Sequence, residues 1–119
     1  IYLVNSYGKT KSFYNNCNNV FLGGSFIKHG GQNPLEAARY GCSIINGPNV
    51  KNFNEIYEFL KGNKISTTIK KSKKLPNQLI ILFNKKNNPK LIQNKLKKIG
   101  SRILKETYNE IFIKKIDAI

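Results

Sequence analysis

The chain has 119 residues, which is the size of one ordinary domain and is enough to bury a core. Its longest apolar runs, such as Leu79–Phe83, are far shorter than the roughly 20 residues that a membrane-spanning helix needs. The formal net charge is +15, and nearly all of the positive charge comes from lysine. We interpret this excess as a solvated surface and expect no nucleic-acid partner; attraction to anionic lipid headgroups or to nucleic acid are the alternatives.

Short apolar runs alternate with segments of helical periodicity over the first part of the chain. We predict strands at Ile1–Val4, Val20–Leu22, Cys42–Ile45 and Ile65–Ile69, and helices at Lys9–Asn16, Pro34–Tyr40 and Asn54–Leu60. This alternation is typical of βαβ units, and continuous apolar strands are typical of a sheet that is covered on both faces. The sequence therefore predicts an α/β fold with a parallel sheet.

From Lys70 onward the pattern indicates helices alone. A helix is predicted at Leu75–Phe83, and Asn87-Asn88-Pro89 ends it. Apolar residues then recur every three to four positions from Leu91 to Phe112. This periodicity predicts one helix, or two with a kink at Gly100-Ser101, whose apolar stripe packs against another element.

The stretch "GGSFIKHGGQNPLEAA", residues 23–38, contains two glycine pairs directly before a predicted helix start. Asn33 suits the N-cap, Pro34 the first helical position and Glu36 the third, so the stretch resembles a capping box. In that interpretation Glu36 satisfies the backbone N–H of Asn33. In the alternative, backbone N–H groups around Gly30-Gly31 and the helix start bind phosphate, and Glu36 accepts hydrogen bonds from ribose hydroxyls.

A second glycine turn, "SYGKTKS" at residues 6–12, resembles the end of a phosphate-binding P-loop. The complete motif requires a glycine five positions before Gly8, where this chain has Leu3, so a P-loop is excluded. What remains is a strand-to-helix turn whose amides can contact an anion or a base.

The other reactive side chains indicate neither a metal site nor a catalytic centre. Cys17 and Cys42 lack metal-ligand spacing, and we predict that both are reduced core residues. His29 is the single histidine, and we interpret it as a surface or hydrogen-bonding residue. Glu55 follows a Gly-Pro turn at a helix start, where helix-dipole stabilisation is sufficient to explain it.

The run Phe21–Ala38, together with Gly47-Pro48 and Asn52–Glu55, resembles the C-terminal domain of the 3-deoxy-D-manno-octulosonic acid (Kdo) transferases. The resemblance covers about residues 1–69. It implies a GT-B fold, in which residues 1–69 are part of a Rossmann-like domain that binds CMP-Kdo and residues 70–119 are C-terminal helices packed on it.

This resemblance also implies an activity and its partners. The family transfers Kdo from CMP-Kdo to a lipid A precursor, lipid IVA, at the cytoplasmic face of the inner membrane, without a cofactor. It implies that Tyr7, Gly8 and Lys9 form one CMP-contacting turn. Asn33, Pro34, Leu35 and Glu36 match the second CMP-binding segment, and Gly30 and Gly31 are candidates for a phosphate loop.

The chain departs from the family pattern at Gln32 and Asn49, where the family usually has histidine. Because the chain contains no methionine, we expect a processed chain or a piece of a longer protein. The family's catalytic base is a carboxylate of the N-terminal domain, so we expect no catalytic residue here, and we expect this piece to be inactive by itself, soluble and cytoplasmic. The alternatives are a transferase that uses a UDP-sugar, a basic nucleic-acid-binding module, and a folded remnant that no longer binds a ligand.

Overall fold

A computed structural model describes residues 3–4, 6, 8–85 and 88–117, and of residues 108 and 111–117 it describes the backbone alone. Five helices and three strands are present in these ranges, and 3-10 turns at Lys51–Phe53 and Ser72–Lys74 precede two of the helices. Their order is α1 (Thr10–Asn16), β1 (Asn19–Phe21), α2 (Leu35–Arg39), β2 (Ser43–Asn46), α3 (Asn54–Gly62), β3 (Ser66–Thr68), α4 (Leu75–Asn84) and α5 (Pro89–Asp117).

The three strands form one parallel sheet in the order β1-β2-β3. Ile45 in the central strand is paired with Phe21 on one side and with Thr67 on the other. The α/β class and the parallel sheet predicted from the sequence are thus confirmed, and the arrangement is compatible with part of a Rossmann-like domain.

Both faces of the sheet are covered. Successive side chains of a strand point to opposite faces, so neighbouring residues of β2 belong to two different core clusters. Ile44 belongs to a core cluster with Ala37 and Ala38 of α2 and Leu60 of α3. Ile45 faces the other side, where it clusters with Ile69 and with Leu82 of α4. The first half of α5 packs on the first cluster through Ile92 and Leu96.

Two predictions about elements are corrected. The strand predicted at Ile1–Val4 is wrong at Leu3 and Val4, which belong to no strand and are exposed; Ile1 and Tyr2 lie outside the described residues. A short apolar run forms a strand only where a neighbouring strand offers hydrogen-bonding partners and a buried face. The division of the chain between residues 1–69 and 70–119 stays a prediction.

The C-terminal segment forms one helix, so the alternative of two helices is wrong, and the kink at Gly100-Ser101 stays a prediction. Glycine weakens a helix but keeps its backbone N–H, and the hydrogen-bond ladder therefore passes through it. None of the helices in the described ranges combines the length and the apolar character that crossing a bilayer requires.

We expect Gly100→Ala to raise the free energy of unfolding by about 0.5–1 kcal/mol, because alanine reduces the backbone entropy of the unfolded chain. Gly100 is exposed, and no atom lies within 4 Å of the position that a Cβ would take. Denaturant titration measures the effect, with Ser101→Ala as the control on the same helix. A loss of stability would contradict the open surroundings of this residue.

Candidate functional site

Three helices begin at the same edge of the sheet, the one formed by the carboxyl ends of the strands. The strands are parallel, so the chain must return from the end of one to the start of the next, and α2 and α3 make these returns. α1 leads directly into the start of β1, and the Ser43 N–H at the start of β2 donates to the carbonyl of Asn18 (2.8 Å). α2 and α3 therefore run opposite to the strands. α1 ends at the amino edge, and its Tyr14 lies near Glu36 at the start of α2, so α1 extends from that edge toward the start of α2. Ligands of open α/β sheets bind at this carboxyl edge.

The first predicted CMP-contacting turn lies at the start of α1. Tyr7 lies outside the described residues. Gly8 is exposed and has a φ of +83°, a conformation that favours glycine, and Lys9 is exposed immediately before the helix. α1 contacts α2. The structure therefore brings Gly8 and Lys9 to the same edge as the second predicted segment.

The second segment, Asn33 to Glu36, lies at the start of α2, but the predicted capping box does not form. The Asn33 Oδ1 accepts from the N–H of Leu35 (3.0 Å), two residues on, and α2 begins at Leu35. In the described part of the chain, the Glu36 carboxylate accepts no hydrogen bond, from Asn33 or from any other donor. Asparagine forms this tight local turn because its side chain reaches the backbone two residues ahead. The interpretation of Glu36 as a capping residue is therefore wrong.

Glu36 is half-buried beside α1. Burial raises the pKa of the Tyr14 hydroxyl, and the negative charge of Glu36 adds to this rise. The carboxylate is thus held near Tyr14 without a donor of its own. It is free to accept hydrogen bonds from a ligand.

The glycine pair Gly30-Gly31 has an intramolecular explanation. Gly30 has a φ of +95°, and a Cβ there would lie 2.6 Å from the Cγ of Asn52. Gly31 has a φ of +82°, and its Cβ would lie 3.1 Å from a methyl carbon of Val50. Both residues are buried against the chain that follows β2. These glycines are required for loop-to-loop packing, and their role as a phosphate loop stays a prediction.

Four hydrogen bonds join the glycine-rich loop (residues 22–34) to the β2–α3 loop (residues 47–53). The Ser25 Oγ accepts from the N–H of Gly47 (2.8 Å), and the Ser25 carbonyl accepts from the N–H of Asn49 (2.8 Å). Asn52 donates from its side chain to the His29 carbonyl (3.3 Å) and from its N–H to the Gly30 carbonyl (3.3 Å). The two loops therefore form one connected wall at the carboxyl edge.

Ser25 and Asn52 were not singled out as site residues from the sequence. Ser25 is fully buried, and its hydroxyl also donates to the Leu22 carbonyl (2.8 Å). The sequence signal for Ser25 is a small polar residue between two glycine-rich turns. If such a residue is buried, its hydroxyl requires hydrogen-bonding partners, and the backbone of another loop supplies one here.

Tyr57 of α3 holds the end of the glycine-rich loop. Its hydroxyl donates to the Gln32 carbonyl (2.7 Å), directly before Asn33. Burial, and to a smaller extent the nearby Tyr14, raises the pKa of Tyr57 to about 12. The hydroxyl therefore keeps its proton and remains a donor at neutral pH.

The remaining candidate residues lie away from this constellation or contribute to packing. Cys42 is buried and its Sγ donates to the Cys17 carbonyl (3.1 Å), whereas Cys17 itself is exposed, so only Cys42 is the predicted core residue. Burial, and to a smaller extent the nearby Cys17, raises the pKa of Cys42 to about 11, so the thiol stays protonated at neutral pH. His29 is exposed, and its ring covers Gly24, where a Cβ would lie 2.9 Å from the imidazole.

A cavity of about 390 Å³ opens between the two loops, and we call it the loop cavity. Lys28 and Gly30 line it from the glycine-rich loop, and residues 48–51 and Asn54 line it from the other side. It therefore lies between the loops that follow β1 and β2, at the start of α3.

Comparison with known proteins shows similarity to one group of enzymes. The chain is 37% identical over 91 residues to the 3-deoxy-D-manno-octulosonic acid transferase of Rickettsia prowazekii (76% of this chain, 20% of that protein). It is 33% identical over 116 residues to that of Rickettsia conorii (93% of this chain, 25% of that protein). With the enzyme of Haemophilus influenzae it is 38% identical over 60 residues (50% and 14%). No protein-family model matches the chain. The alignments thus span at most about a quarter of these relatives' length.

Proposed function

Because this chain is homologous to a segment of the 3-deoxy-D-manno-octulosonic acid transferases, we propose that it is the donor-binding C-terminal part of such an enzyme. The whole enzyme, of GT-B architecture, transfers Kdo from CMP-Kdo to a lipid A precursor, lipid IVA, at the cytoplasmic face of the inner membrane. In this proposal the catalytic base belongs to another part of the protein. The chain alone binds CMP and does not catalyse transfer.

One observation carries the proposal: the two segments that match the CMP-binding motifs are far apart in sequence but begin adjacent helices at one edge of the sheet. Lys9 directly precedes α1, Leu35 and Glu36 begin α2, and the two helices are in contact. A parallel sheet supports ligand binding at this edge, because the strand-to-helix loops and their free N–H groups converge there. This geometric support is separate from the sequence similarity to the relatives.

Each part of the candidate site has a chemical role in this proposal. The Glu36 carboxylate, which lacks a donor within the described chain, accepts hydrogen bonds from the ribose hydroxyls. Gly8 and Lys9 contact the nucleotide from the turn that precedes α1, and Tyr7 is the third residue of the matching motif. Asn33, Pro34 and Leu35 hold Glu36 in position, since Pro34 is fully buried and Asn33 closes the turn before α2.

The proposed transfer requires no cofactor, because the acceptor, the base and the leaving CMP account for every proton and bond. The base removes a proton from a hydroxyl of the lipid acceptor, and the resulting oxygen attacks the anomeric carbon of Kdo with inversion. The bond between that carbon and the phosphate oxygen breaks, and CMP leaves with the electron pair. Positive charge near the phosphate stabilises this leaving group.

Titration of the isotope-labelled chain with CMP, with UMP as the control, tests the proposal. We expect CMP to shift the NMR signals of Gly8, Lys9 and the segment Gly30 to Glu36, and UMP to shift them less. Equal or stronger binding of UMP would favour a transferase that uses a UDP-sugar. A folded chain on which neither nucleotide shifts these signals would refute nucleotide binding by this chain.

We expect Glu36→Gln to weaken CMP binding about tenfold, since a hydrogen bond to a charged group contributes about 1.5–3 kcal/mol. Glu58→Gln, at an exposed position of α3, is the matched control and should bind CMP as the wild type does. The loss should be much smaller for a CMP analogue that lacks the ribose hydroxyls, because the partners of Glu36 are then absent. Equal losses for CMP and this analogue would assign Glu36 a structural role instead.

A further inference from the structure

The loop cavity is lined by two lysines that stabilise no other part of the described chain through an ion pair or a hydrogen bond. Lys28 and Lys51 line it from opposite loops, and both side chains are exposed. Among the residues whose side chains the structure describes, no acidic residue lines the cavity. Within the described residues, neither ammonium group has an ion-pair or hydrogen-bonding partner. Two cations at one cavity repel each other, and an anion between them removes this repulsion.

The shape of the cavity is fixed before any ligand binds. Asn52 connects its two sides through hydrogen bonds to the His29 and Gly30 carbonyls, and Asn49 is connected to the Ser25 carbonyl. Gly30 approaches Asn52 so closely that a Cβ would overlap with it. Because these contacts hold the backbones that carry Lys28 and Lys51, binding of an anion requires only the two side chains to become ordered.

The other polar groups of the cavity are suited to an oxygen-rich ligand. Asn49 and Asn54 line it with amide groups that donate as well as accept hydrogen bonds. Positive charge at this place therefore comes from the neighbouring lysines.

We propose that the loop cavity binds an anionic group of the donor, the phosphate of CMP or the carboxylate of the acidic sugar, through Lys28 and Lys51. This inference depends on the proposed function, because it assigns a subsite of the same edge. Lys28 and Lys51 set the preference for a negatively charged donor, whereas Glu36 and the α1 turn contact its nucleoside. Both anionic groups present the same chemistry to an ammonium group.

The test compares the wild type with the double variant Lys28→Ala/Lys51→Ala, using CMP, cytidine and free Kdo as separate probes. The matched control is Lys98→Ala/Lys105→Ala, which removes the same charge from exposed positions of α5. We expect the double variant to lose about tenfold or more in affinity for CMP, since it loses two charge-assisted contacts, and nothing for cytidine. The control should show only the small change that a lower net charge causes.

The outcomes separate the two sources of the anion and the two proposals. A loss for CMP assigns the cavity to the phosphate, and a loss for free Kdo alone assigns it to the carboxylate. Unchanged affinity for both probes would overturn the inference while leaving the nucleotide site intact. If the wild type binds neither CMP nor cytidine, the proposed function fails. Titration with inorganic phosphate then tests the cavity alone: shifts of the NMR signals of Lys28 and Lys51 would support an anion site, and the absence of shifts would refute it.

Discussion

Asn46→Asp is expected to lower the free energy of unfolding at pH 7 by about 3–5 kcal/mol, the range for a buried charge without a partner. Asn46 ends β2 and is fully buried. Its Nδ2 donates to the Gly47 carbonyl (2.8 Å) and to the Thr68 Oγ1 (3.2 Å). An ionised aspartate of the same shape has no proton to donate, so the bond to the Gly47 carbonyl is lost, two oxygens face each other there, and a charge is placed in the core.

The loss of stability in this variant should depend on pH in a definite direction. Burial raises the pKa of the new carboxyl in the folded state above its unfolded value of about 3.9. The protonated form can still donate one hydrogen bond. The variant is therefore closest to the wild type below about pH 4. Its deficit grows as the pH rises from the unfolded-state pKa to the folded-state pKa, and it is constant above the folded-state pKa, where both states are ionised.

Denaturant titrations between pH 4 and pH 8 measure this deficit. Asn77→Asp is the matched control, because Asn77 is exposed in the first turn of α4, where a negative charge is favourable or neutral. A loss in Asn46→Asp that is below 1 kcal/mol at every pH would contradict the burial of this amide.

Gly47→Ala should lower the free energy of unfolding by about 3 kcal/mol, the upper part of the usual range for overpacking in a core. A Cβ at Gly47 would lie 2.5 Å from the Ser25 carbonyl oxygen and 2.7 Å from its carbon. These are backbone atoms of the glycine-rich loop, which a rotamer change cannot move. The added methyl group must therefore push the two loops apart and break the Gly47 to Ser25 hydrogen bond.

Gly23→Ala is the control for this effect, because Gly23 is exposed in the glycine-rich loop and a Cβ there meets no atom within 4 Å. Unfolding curves of both variants give the stability difference. CMP titration of Gly47→Ala gives a second measurement, since displacement of the loop also displaces Asn33 and Glu36. Variants of equal stability would show that the loops are not in the contact described here.

The local chemistry of the candidate site could be predicted from sequence only in part. The prediction that the glycine pairs are places of close approach is confirmed for Gly30-Gly31 and wrong for Gly23, where a Cβ would meet no atom within 4 Å; for Gly30-Gly31 the sequence suggested an external ligand. The structure places Asn52 and Val50 against Gly30 and Gly31. Close approach of a backbone requires glycine whether the neighbour is a ligand or another loop, so the residue type does not distinguish them. Likewise, the NPLE pattern permitted a capping box, and the actual turn uses the Leu35 N–H instead.

The alternation of apolar runs and helical segments determined the α/β class, the parallel sheet and most of its elements, because burial on two faces imposes period and length on each element. The motifs around Asn33-Pro34-Leu35-Glu36 determined the family resemblance. Only the tertiary structure decided which of these features meet. It brought the starts of α1, α2 and α3 to one edge, left the Glu36 carboxylate without a donor in the described chain, and placed Lys28 and Lys51 on one cavity. The physical reason is that packing joins residues by their positions on strands and loops, and no pattern local to the sequence records which loops lie against each other.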